Sequence, residues 1–85
     1  MTYHQRKGIH MEELIAYIET RLECARKYGT DYATINAYRM TAYGASDFYG
    51  QQAFERGDEE AIRKIEELWE SKYYDAFNEL FKRVS

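Results

Sequence analysis

The chain has no proline, one cysteine, five glycines and no long apolar run. Each scarcity removes a class of structure. Without proline, no helix is forced to stop or kink by a missing amide, so a periodic segment is free to run on. With Cys24 alone, no disulfide closes within the chain and no thiolate zinc cage is built from it, which fits a reducing compartment. The glycines are scattered, and the sequence holds no Gly-rich phosphate loop, Walker lysine, nucleophile elbow or pair of histidines on one helix face. Uncharged stretches fall far short of a bilayer span, and no apolar segment of signal-peptide length follows Arg6 and Lys7. A soluble cytoplasmic protein without a membrane segment is therefore expected.

Positive charge is also in short supply, with 12 lysines and arginines against 15 aspartates and glutamates and a net charge of -3. That balance argues against a general nucleic-acid binder, whose affinity comes from many cations neutralising phosphates. Apolar material is ample. At 45% hydrophobic residues the chain should fold, and 85 residues enclose one modest core but not two.

Three segments carry helical periodicity. In residues 58 to 84, Ile62, Ile65, Trp69, Tyr73, Ala76, Leu80 and Val84 recur at three- or four-residue steps and share one helix face. The first helix is expected from Met11 to Tyr28, on a stripe of Met11, Leu14, Ile15, Ile18, Leu22 and Ala25. Gly29 should end it in a left-handed cap, with Arg26 and Lys27 matching the negative end of the dipole. Thr30 and Asp31 are N-cap candidates for a second helix, roughly Tyr32 to Phe54, with an early end or kink at Gly50 as an alternative. Its main face holds Ile35, Tyr38, Ala42, Ala45, Tyr49 and Ala53. Further apolar side chains surround that face, and Ala33, Ala37, Ala42, Gly44 and Ala45 would admit close neighbours, as suits a central helix. Gly57 and Asp58 mark the last boundary. Glu59 with Arg63, Glu60 with Lys64 and Glu79 with Arg83 are spaced for surface pairing. Short linkers then predict an all-α fold: an antiparallel three-helix bundle with a long C-terminal helix, one domain over residues 11–85. Residues 1–10 form a short N-terminal arm without helical period. The arm either folds over the bundle through Tyr3 and Ile9 or precedes a natural start at Met11, since Arg6-Lys7-Gly8 can be encoded by a purine-rich run resembling a ribosome-binding site.

Chemistry is hard to find in these residues. His10 and Glu13 lie three apart, but a metal needs three or four converging ligands, so no metal site and no cofactor are expected. Cys24 flanks the apolar stripe beside Tyr17 and Tyr28 with no histidine near it in sequence, which reads as a small half-buried residue rather than a nucleophile. No catalytic residue is assigned. The chain is read as a non-enzyme.

The nine tyrosines are more phenols than so small a core can enclose. Tyr74, Phe77 and Phe81 form a second row, rotated away from the Ile62, Ile65, Trp69 face. Together with Tyr43 they are the candidate partner-binding residues, because exposed rings offer large rigid contact area at low entropic cost. The competing reading is that the arm covers that row. The acidic stretch Asp58, Glu59, Glu60, Glu66, Glu67 and Glu70 reads mainly as a solvated face and secondarily as a mimic of a phosphate backbone.

The segment Ala42-Tyr43-Gly44-Ala45-Ser46-Asp47-Phe48, followed by the acidic helix ending in Ile65-Glu66-Glu67-Leu68-Trp69, resembles small helical accessory proteins of unassigned function from bacterial phages and mobile elements. The likeness spans roughly half the chain and carries no catalytic residue with it. It implies a protein that docks on a host or phage protein, in some cases inhibiting it. A self-associating protein-interaction module is the leading expectation. The alternative is a small nucleic-acid-associated regulator using the arm (His4, Arg6, Lys7, His10) with Arg21, Arg26 and Lys27.

Overall fold

Helix accounts for every regular element among residues 10–85, the part of the chain that the computed structural model describes. Helix α1 spans Met11–Tyr28 and α2 spans Tyr32–Arg56. The last rod is continuous but not uniform: α3 (Glu59–Leu68) passes into a π-helical turn at Trp69–Tyr73 and then into α4 (Tyr74–Val84). The three rods pack as the expected antiparallel bundle, with α2 against both α1 and the last rod. The two readings of the arm, as a cover for the bundle or as a leader before Met11, concern residues outside those described, apart from His10 at the start of α1.

Local chemistry sets the boundaries. His10 donates its backbone N–H to Glu13 Oε1 at 3.5 Å, so this pair serves the helix start. Asp31 Oδ1 accepts the Thr34 amide at 2.8 Å and Asp58 Oδ1 accepts that of Ala61 at 3.2 Å, each satisfying an amide with no partner inside its helix. Gly57 closes α2 in the left-handed region at φ 73°, where a Cβ would be strained. Gly29 departs from expectation. Its φ is -80°, not left-handed, and glycine is needed there for space: a Cβ would stand 2.5 Å from both the Ala25 carbonyl oxygen and Ile35 Cγ1. Gly50 does not end α2, which runs on to Arg56.

The core is drawn from one stripe per rod. Leu14, Ile18, Leu22 and Ala25 of α1 meet Ile35, Ala42, Tyr49 and Ala53 of α2 and Ala61, Ile65, Trp69, Tyr73, Phe77 and Leu80 of the last rod. The expected stripe of that rod is corrected at two places: Ala61 is buried where Ile62 was expected and Ile62 is half-buried, and Phe77 replaces Ala76. In an uninterrupted α-helix, at about 100° per residue, Ala76 falls within about 20° of Ile65 and Phe77 about 120° away. The π-turn accommodates one extra residue, with the Tyr74 amide reaching back to the Trp69 carbonyl, and so turns everything after it back by about 100°. Phe77 thereby enters the core with no exposure, and Ala76 is only half-buried. The burial of Phe77 removes it from the candidate partner-binding row.

A polar tie joins α1 to the same turn. Glu19 Oε2 accepts from Lys72 Nζ at 2.6 Å and from the Tyr73 hydroxyl at 2.9 Å. Surface pairing elsewhere differs in detail from the expected pattern: Arg63 sits between Glu60 and Glu67, at 3.0 and 3.4 Å, and Glu79 pairs with Lys82.

Candidate functional site: a groove beside Trp69

An open groove of about 350 Å³ runs between α2 and the last rod. Its α2 wall is one helical row, Tyr43, Asp47, Gly50, Gln51 and Phe54, and its other wall is Ile62, Ile65, Glu66, Trp69, Glu70 and Tyr74. The π-turn completes the second wall. Ile62, Ile65, Glu66, Trp69 and Glu70 reach the groove on regular helical spacing, and the bulge that carries Phe77 inward also turns Tyr74 back to join them.

Trp69 is the anchor. Its indole N–H donates to Ser46 Oγ at 2.9 Å, and the buried Ser46 hydroxyl donates in turn to the Ala42 carbonyl at 3.0 Å. Tyr43 and Tyr74 each place a ring centroid 5.3 Å from that of Trp69, and Phe77 stacks on it from the core at 6.1 Å. Such edge and offset contacts add to area burial and orient the rings. The Tyr74 phenol is raised above its ordinary pKa by burial first, then by the adjoining Tyr43 phenol and Glu70, while Arg39 acts the other way. Both tyrosines keep part of their surface in solvent. Phe54 is the most open large apolar side chain among the described residues, at 76% exposure.

The structure therefore divides the predicted residues. It brings Tyr43 and Tyr74 together around Trp69, buries Phe77, and sends Phe81 to another part of the bundle, half-buried with its ring centroid 4.7 Å from that of Tyr32. Phe54, Asp47 and the anchoring Ser46 had no assigned role. Their signal was available: residues 43, 47, 51 and 54 follow helical spacing, but nothing in one helix reveals which row faces a gap.

Other candidate chemistry is dispersed. No group of three or more metal-ligating side chains converges among the described residues. Cys24 is free and half-buried, as expected. Arg21 lies over the rings of Tyr17 and Tyr38, at 5.7 and 4.9 Å from their centroids, with its buried Nε lacking a hydrogen-bond partner. Arg26 pairs with Glu23 at 3.7 Å and Lys27 lies over Tyr28. No helix among the described residues is long and apolar enough to cross a membrane. No protein-family model, curated protein or solved structure matches the chain.

Proposed function

We propose that this protein is a non-enzymatic helical docking module that presents the groove beside Trp69 to a partner protein. One observation carries the reading: Tyr43, Phe54 and Tyr74 remain 45%, 76% and 41% exposed on one groove, while Trp69 beneath them is held by a buried hydrogen bond. Rings left in water forgo burial worth about 25 cal/mol per Å², and rigid aromatics around a concavity are the surface type that anchors interfaces. On the resemblance of the Ala42–Phe48 segment to phage and mobile-element proteins, the partner is a host or phage protein whose action is blocked by docking.

The test is capture by the tagged wild type and by Phe54→Ser, Tyr74→Ser and Phe81→Ser variants, with helicity and solution mass measured for each. Expected is one protein bound in fixed stoichiometry, lost with Phe54→Ser and Tyr74→Ser and kept with Phe81→Ser, whose melting temperature falls. A wild-type dimer that Phe54→Ser converts to monomer would make the partner a second copy of this chain. Equal capture by all three variants, with folding intact, would remove the groove from the function.

A further inference from the structure

We infer that the groove receives a basic segment of the partner, an arginine or lysine flanked by an apolar residue. This rests on the docking reading and names the partner's chemistry. The groove is lined by three carboxylates, Asp47, Glu66 and Glu70, and by no lysine, arginine or histidine. None of the three has an ion-pair partner among the described residues, although acids at and after the start of the last rod do: Arg56 holds Asp58, and Arg63 holds Glu60 and Glu67. A cation entering the groove thus meets three carboxylates without displacing an internal partner. The aromatic wall adds to this preference, since the face of a phenol or phenyl ring attracts a guanidinium or ammonium, and the methylene stem of either side chain packs on Phe54 and Ile62.

A cation on the Tyr74 side of the groove favours a particular orientation. Arg39 acts on the Tyr74 phenol, and its guanidinium is held by Asn36 Oδ1 at 2.7 and 3.2 Å. The incoming charge is therefore directed away from Arg39, toward Asp47 and Glu66. A volume of about 350 Å³ lies at the lower end of the roughly 300–1,000 Å³ of ligand pockets, which suits a few side chains of a segment lying along an open groove. Phosphate-rich nucleic acid is repelled by the same three carboxylates.

A random short-peptide display library, selected in parallel on wild type, on Asp47→Asn/Glu66→Gln/Glu70→Gln and on Phe54→Ser, tests the inference. Wild type should enrich peptides with arginine or lysine beside an apolar residue. The best of these, labelled for fluorescence anisotropy, should bind the neutralised triple variant at least about ten-fold more weakly and lose affinity as salt rises. Enrichment of peptides without basic residues, or equal affinity for wild type and triple variant, overturns the inference. If those uncharged peptides still require Phe54, the docking reading stands with another partner chemistry. No enrichment on wild type overturns both.

Discussion

Ser46 shows how much one small side chain does in this core. Its hydroxyl is the acceptor for the Trp69 indole and is itself spent on the Ala42 carbonyl, a chain of two hydrogen bonds closed to solvent. Ser46→Ala leaves the indole N–H buried and unpaired, at a cost of about 1–3 kcal/mol. In a domain of this size each 1 kcal/mol lowers the melting temperature by roughly 4–8 °C, so calorimetry should resolve the loss. Two glycines make a second contrast at this scale. Gly29→Ala drives a Cβ into the Ala25 carbonyl and Ile35 and should destabilise by about 1–3 kcal/mol, whereas a Cβ at Gly44 meets nothing within 4 Å. Gly44→Ala should therefore stabilise, by up to about 1 kcal/mol, because it raises helix propensity without a clash. Urea midpoints of the two variants should move in opposite directions; a shared direction would contradict the packing of the α1–α2 turn.

The element that matters most is the π-turn in the last rod. Ala61, Ile65, Trp69, Tyr73 and Phe77 are all buried at successive steps of four, a spacing that drifts about 40° per step around a regular α-helix. One wide turn cancels most of that drift. Inserting one alanine between Tyr74 and Asp75 leaves the turn in place and advances all that follows by about 100°, so Ala76 should take the place of Phe77 in the core. The loss should approach the roughly 3–5 kcal/mol of a buried Phe→Ala change. Deleting the exposed Ser71 instead removes the extra residue, so Phe77 should keep to within about 20° of Ile65 in a regular helix and stability should fall much less. A melting temperature lowered as much by the deletion as by the insertion would contradict this account of the turn.

As a whole, the molecule is slender, with principal extents of 49 × 22 × 16 Å. Three rods of this length leave much surface for little interior, and eight large apolar side chains stay exposed among the described residues. Its pH dependence is a property of the assembled bundle, because the groups concerned meet only when α1 packs on the last rod. Glu19 is held below its ordinary pKa of 4.5, chiefly by the hydrogen bond from Lys72, with further contributions from Tyr73 and the charge of Arg26. A depressed carboxyl contributes stability that is complete above the unfolded value and lost as pH falls through the folded one. Denaturation midpoints should therefore drop less steeply below about pH 4.5 in Glu19→Gln than in wild type. At the other extreme, burial first and then Glu19 push the Tyr73 phenol well above its usual 10. The folded phenol keeps its proton where the unfolded one ionises, so stability declines as pH rises past about 10, and Tyr73→Phe should soften that decline.

The amino-acid sequence determined the rods and their ends. The period of α1, the carboxylates at Asp31 and Asp58 and the glycine after Arg56 act within a few residues of themselves, so no distant contact is needed to read them. The surplus of rings was equally legible from nine tyrosines in 85 residues. Which rings reach solvent was decided by tertiary structure. Helical spacing predicts a face only while the helix keeps about 3.6 residues per turn, and one accommodated residue rotates all that follows by about 100°. That residue is tolerated because Trp69 finds Ser46 and Tyr73 finds Glu19 on other helices, 23 and 54 positions away. Contacts so distant buried Phe77 and set Tyr43, Phe54 and Tyr74 around a single groove.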